Sequence, residues 1–190
     1  AKGIDETLSV DLCEHSPYGC SKLASDIYAQ DYGHVYGIKT GVFRMSCIYG
    51  TRQFGVEDQG WVAWFAIATL LSKPITIYGD GKQIRDVLFV TDVVSAYDAF
   101  IKKSMTSQVF NLGGGPEFSM SLLELIGMLK KLTGKSSKVR FDKWRVSDQK
   151  VYISDISKAK KLLGWKPKIS PKEGVRILAD WAKDNIRLFG

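Results

Sequence analysis

The stretch SPYGCSK, residues 16–22, places Tyr18 four residues before Lys22. On a helix, side chains at that spacing are neighbours on one face. A phenol ionises only near pH ~10 and is a poor base in neutral water. An ammonium a few ångströms away favours the phenolate, which can then take a proton from a hydroxyl. Spacing alone does not decide the matter. Eight tyrosines and 20 lysines in 190 residues give ~0.8 chance matches to Y-x-x-x-K, and this chain has two. The other, Tyr78–Lys82, is spelled YGDGK; its glycines and aspartate make a turn, so the two side chains need not face the same way. Tyr18 and Lys22 instead follow Ser16, a good N-cap, and Pro17, which suits the first helical position. From the residues alone the pair is either a proton-transferring couple or a surface pair at a helix start.

Other chemistry is narrower. Cys13, Cys20 and Cys47 form no C-x-x-C, and neither His15 nor His34 completes a zinc pattern, so no metal is expected. Reduced thiols point to a cytoplasmic protein. No run approaches the ~20 apolar residues of a membrane span. Residues 1–100 carry 8 basic and 12 acidic side chains, a balance of −4, whereas residues 101–190 carry 19 and 8, a balance of +11. A basic second half suits an anionic partner, and a solvated Lys-rich helix face explains it equally well. Nucleic acid, a membrane surface and a phosphorylated small molecule are all such partners; the chain lacks clustered basic residues interleaved with exposed aromatics, which argues against the first.

The elements that must hold these residues alternate. A helix from Pro17 to about Tyr32, closed by Gly33, precedes IKTGVFRMSCIYG, which reads as one buried strand. Val62, Phe65, Ala66, Thr69 and Leu70 follow helical spacing. ITIYGDGKQIRDVLFV gives two strands around a turn, and Thr91 caps a helix with Val93, Val94, Tyr97, Phe100 and Ile101 inward. QVFNLGGG is a strand ending in a glycine turn. Ser121 and Glu124 form a capping box, KVRFD is a strand, and Gly164 stops a short helix. Ser170, Pro171 and Glu173 start a last helix with Val175, Leu178, Ala179 and Ala182 inward. Alternating strands and helices mean an α/β fold. The glycine runs at 33–41 and 113–115 have neither the spacing nor the setting of a phosphate-binding turn.

SPYGCSKLASDIYAQDYG followed by TGVFRMSCIYGTRQ resembles the active-site helix and next strand of the extended short-chain dehydrogenase/reductase family. ITIYGDGKQIRDVLFVTDVVSA and the ending DISKAKKLLGWKPKISPKEGV resemble its sugar-nucleotide epimerases and dehydratases. FGVEDQGWVAWF narrows the resemblance to the subfamily of CDP-paratose 2-epimerases. The resemblance implies NAD as cofactor, a CDP-sugar as substrate, a homo-oligomer in the intact protein, and epimerisation through transient oxidation at C2. A 4,6-dehydratase or a non-catalytic nucleotide-diphosphate module is the alternative.

It also implies roles. Tyr18 would be the acid/base; Lys22 would favour its phenolate and bind the nicotinamide ribose. Arg44, Ser46, Cys47 and Ile48, at the end of the next strand, would lie by the nicotinamide, with Ser46 also near substrate. Arg85 and Arg145 resemble the diphosphate ligands, where paired N–H donors suit phosphate oxygens. Thr76 and Tyr78 would flank the base, and Gln59, with Trp61, would contact the sugar. Asp92 and Asn111 also match positions of the family; read as residues only, they are a helix start and a turn residue, Arg85 has Asp86 or Asp80 as an ion-pair partner, and Arg145 has Asp148.

The family's glycine phosphate loop, its ribose-binding acid and its catalytic Ser/Thr have no counterpart here. The expectation is therefore the C-terminal part of a Rossmann-type doubly wound sheet over residues 1–50. Residues 51–190 would be a smaller, mainly substrate-binding α/β part, with 84–103 packing back. Such a piece is expected to be inactive alone.

Overall fold

The computed structural model describes residues 3–9 and 16–190. Cys13 and His15 lie outside the described residues. Ser16 Oγ accepts from Gly19 N at 3.1 Å, and helix α1 runs Pro17–Tyr36. Gly33 does not close it. That glycine is buried inside the helix, where a Cβ would press on the Ser107 and Thr40 hydroxyls, and the chain leaves the helix at Gly37, with φ 66°.

The apolar run after α1 is two strands, not one: β1 (Gly41–Met45) and β2 (Cys47–Tyr49). The remaining elements are α2 (Trp61–Leu70), β3 (Ile75–Tyr78), β4 (Ile84–Phe89), α3 (Val90–Lys102), β5 (Gln108–Leu112), β6 (Ser119–Ser121) and α4 (Leu122–Thr133). Then come β7 (Val139–Asp142), β8 (Val151–Tyr152), α5 (Ser157–Leu163) and α6 (Pro171–Asp184). β1 pairs in parallel with β5, and β2 in parallel with β4. The change of partner falls at Ser46. Its N–H donates to Leu112 O at 2.9 Å, and its hydroxyl turns to the carboxylate and carbonyl of Asp86. β4 also pairs with β6, antiparallel, and with β8, in parallel; β3 pairs in parallel with β7.

Two larger apolar clusters fill the body, beside a small third one of Ile67, Leu70 and Ala182. The first gathers Val62, Phe65 and Ala66 of α2, Leu125 and Leu129 of α4, and Val175 and Leu178 of α6 around Tyr49, Ile75, Ile77 and Phe89. The second sets Val93 and Ala96 of α3 and Ala159 and Leu163 of α5 against Leu88, Phe110 and Leu112, with Phe43 and Ile48 beside them. The face of α3 is only in part the expected one: Val93 and Phe100 pack in the second cluster, whereas Val94 and Ile101 stand 60% and 72% exposed. No side chain caps the helix at Thr91; it starts at Val90, after Phe89. Asp92 sets the register by turning inward, where one carboxylate oxygen accepts from Lys168 N and Ile169 N, each at 3.0 Å. Trp165 Nε1 adds a bond to Asp92 O at 2.9 Å. Among the described residues, no helix is long and apolar enough to cross a membrane.

Candidate active site

A cavity of about 490 Å³ opens between the start of α1, the segment before α2, the β3–β4 turn and the loop after β7. Tyr18 lines it from the first turn of α1 and is 68% exposed. Lys22, one turn on, places its Nζ 5.3 Å from the Tyr18 ring centre. Lys22 stands behind the phenol and does not line the cavity. The N-cap fixes this pair: with Ser16 and Pro17 setting the first turn, residues 18 and 22 share a face.

The next four expected site residues divide. Cys47 lines the cavity, and its sulfur accepts from Trp61 Nε1 at 3.4 Å. Arg44, Ser46 and Ile48 do not line it. Arg44 is held by Asp26 at 2.6 Å and by Glu6 O at 3.1 Å. Ser46 is held by Asp86, and Ile48 packs in the second cluster. Alternation along an extended chain accounts for part of this, since neighbours in a strand face opposite ways.

The expected substrate residues come together. Gln59, Thr76, Tyr78, Arg85 and Arg145 all line the cavity, as does Trp61. Their ion pairs are not the ones that adjacency suggests. Arg85 pairs with Asp148 at 2.8 Å and is fixed further by Ile84 O at 2.9 Å and by Gln149 O. Asp86 cannot serve Arg85, because it points to the other face of β4 and is fully buried. Asp80 instead accepts from Lys82 N at 2.9 Å within its own turn. Arg145 pairs with Asp58 at 2.7 Å, not with Asp148, and its guanidinium carbon lies 4.0 Å from the Tyr78 ring centre. Asn111 lies away from the cavity and donates to Ile4 O at 2.9 Å.

The cavity wall also holds residues that sequence reasoning passed over: Glu57, Asp58 and Gln83, and Asp148 in its role on Arg85. Gln83 is buried and donates to Tyr78 O at 2.8 Å. Two cavity arginines imply counter-charges, but the acids that supply them lie 63 and 87 residues away in sequence. No group of three side chains able to hold a metal is present among the described residues.

Burial pushes the Cys47 thiol up, against smaller opposing effects of the Trp61 N–H and Arg85. The thiolate is the reactive form, so Cys47 stays protonated to higher pH. Cys20 is exposed. At pH ~8.5, iodoacetamide is expected to label Cys20 at least ~10-fold faster than Cys47. Peptide mapping by mass spectrometry reads each site separately.

With this geometry in place, the sequence model of a family described as GDP-mannose 4,6 dehydratase matches residues 2–178. The chain belongs to this family. It is 42% identical over 186 residues to the CDP-paratose 2-epimerase of Salmonella typhi, covering 94% of this chain and 54% of that protein. It is 36% identical to the UDP-glucuronate 4-epimerase of Thermodesulfobacterium geofontis, covering 97% of this chain and 55% of that one. Among solved structures, the UDP-glucuronic acid 4-epimerase of Bacillus cereus, in complex with UDP-glucuronic acid and NAD, superposes with a TM-score of 0.81. It is 33% identical and covers 94% of this chain and 56% of its own. The α/β fold with parallel strand pairs is thus the Rossmann-type fold that the sequence implied. The chain spans about half the length of the curated relatives it matches.

Proposed function

We propose that the chain carries the acid/base and the substrate pocket of an NAD-dependent nucleotide-sugar epimerase, acting on CDP-paratose to give CDP-tyvelose by inversion at C2. One observation carries this reading: Tyr18, Arg85 and Arg145 line a single cavity. A phenol that can exchange a proton and two guanidiniums that can grip a diphosphate are what a nucleotide sugar needs at its two ends. The similarity to the Salmonella typhi 2-epimerase supports the CDP-sugar and the C2 position.

The described residues fit the nicotinamide-ribose end of NAD. Tyr18 lines the cavity from the first turn of α1, and Lys22, exposed one turn on, lies beside its ring. Tyr18 and Lys22 would hold the nicotinamide ribose, and NAD bound there would supply a reversible hydride acceptor for the sugar carbon. Tyr18 would remove the proton of the hydroxyl on that carbon and later give it back. Lys22 contributes a fixed positive charge on the far side of the ring. Arg85, locked by three partners, would anchor the diphosphate, and Thr76 and Tyr78 would flank the base.

The pyrophosphate end has no glycine turn to hold it among the described residues. Gly113 is pressed against Asp86 and Ser154, so the triplet 113–115 is packing, not a cradle. The 190-residue chain by itself is therefore expected to turn over CDP-paratose little or not at all. We read residues 1–50, with 84–103 returning to them, as the cofactor part and 51–190 as mainly the substrate part. Contacts of Val93 and Ala96 with the cluster around Phe43 and Ile48 support the return. The exposed Tyr28, Tyr32, Val35 and Tyr36 of α1 suit burial against a second copy in a homo-oligomer.

Titration of CDP into the chain and into Arg85→Ala, followed by calorimetry, tests the reading. Loss of paired charged hydrogen bonds is expected to weaken CDP about 30-fold. Equal affinity for the two proteins would remove the diphosphate from this cavity. The missing glycine turn favours a second reading, a nucleotide-diphosphate-binding module without catalysis; it predicts the same titration and no Tyr18-dependent turnover.

A further inference from the structure

The turn Val56–Gln59 stands in front of Arg145. Val56 and Gln59 bond each other through both backbone N–H groups, at 2.9 and 3.0 Å, and this pinch carries Glu57 and Asp58 to the tip. Asp58 Oδ1 accepts from Arg145 at 2.7 Å, and Glu57 O accepts from the same nitrogen at 3.5 Å. Glu57 Oε1 accepts from the Tyr78 hydroxyl at 3.3 Å. Arg145 in turn lies over the Tyr78 ring. An acidic tip thus sits on the cation that a diphosphate would use and on the ring that would flank the base.

The two arginines are prepared differently. Arg85 has two backbone carbonyls besides Asp148, and its side chain is 12% exposed. Arg145 is 36% exposed, and its carboxylate partner is 85% exposed and makes no other hydrogen bond among the described residues. An exposed pair of this kind holds weakly and can be exchanged for a better anion. Phosphate offers more charge and more acceptors than a carboxylate, and a diphosphate already anchored on Arg85 meets Arg145 at high effective concentration.

We propose that the turn Val56–Gln59 is an autoinhibitory contact: Asp58 competes for Arg145, and a nucleoside diphosphate binds by displacing it. This rests on the diphosphate reading of the cavity. Displacement also frees the turn that carries Gln59, so filling the phosphate end changes the wall at the sugar end.

Calorimetric titration of CDP into the chain, Asp58→Asn, Arg145→Ala and the double variant separates the possibilities. Asp58→Asn is expected to tighten CDP about two- to fivefold, and the gain is expected to vanish in the Arg145→Ala background. Asp58→Ala repeats the test without an added amide and is expected to give the same gain. Unchanged or weaker CDP binding in both Asp58 variants overturns the proposal, the weaker case making Asp58 a ligand contact. If the unaltered chain does not bind CDP, the diphosphate reading fails, and the inference fails with it.

Discussion

Replacing Tyr18 by Phe is expected to lower turnover about 10³-fold while leaving CDP affinity and thermal stability in place. The system for this measurement is the chain fused to the part of the Salmonella typhi relative that the match does not cover. The size follows from the proposed role: a positioned acid/base contributes roughly 10²–10⁴ to a rate, and Phe keeps the ring while removing the hydroxyl that would move the proton. Stability gives the control. Tyr18 is 68% exposed, and no hydrogen bond to its hydroxyl is seen among the described residues. Surface changes of that kind stay within about 0.5 kcal/mol, so the melting midpoint should move by less than about 2 °C. CDP binding should also hold, since the proposed phosphate ligands, Arg85 and Arg145, are untouched. Turnover retained within about threefold of the parent fusion would falsify the acid/base role. A large loss accompanied by a lower midpoint would point to damage at the helix start instead.

Local features of the fold were readable because their causes are local. Ser16 and Pro17, the Ser121–Glu124 box, and Ser170 with Pro171 each cap a helix within three residues, and all three helices start where those signals lie. What failed depends on distant partners. Gly33 looked like a stop because nothing nearby shows that Ser107 and Thr40 crowd that helix face. The split at Ser46 arises because β1 and β2 have different neighbours, β5 and β4, which no property of the run GVFRMSCIY encodes. The face of α3 is turned by Asp92, which reads in sequence as a helix start but is buried to receive two N–H groups from the segment at 168–169. The same divide runs through the site. Resemblance pointed to Arg85 and Arg145, and both line the cavity; their acidic partners were invisible because an ion pair across a fold leaves no spacing in the sequence.

Asp86→Ala is expected to destabilise the chain by about 3 kcal/mol, a drop in melting midpoint of roughly 6–12 °C for a protein of this size. The carboxylate is fully buried at the centre of β4. It accepts from the Ser46 hydroxyl on one oxygen and from Gly115 N at 3.0 Å on the other, so it ties the β1–β2 junction to the glycine turn after β5. Alanine leaves the Gly115 N–H without a partner in the interior, which costs about 1–3 kcal/mol, and leaves a void where the carboxylate stood. Ser46 loses less, because its hydroxyl can still donate to the Asp86 carbonyl, 2.6 Å away. Asn distinguishes hydrogen bonding from charge. Its amide oxygen can face Gly115 N, and its NH₂ can donate to the Ser46 oxygen, so Asp86→Asn should cost no more than about 1 kcal/mol. A urea or thermal melt in which Ala and Asn behave alike would show that the tie does not depend on these bonds. The change reaches the site as well, since Cys47 follows Ser46 and Arg85 precedes Asp86 in the same cavity wall. CDP affinity should therefore fall in the Ala variant and hold in the Asn variant, in step with their midpoints.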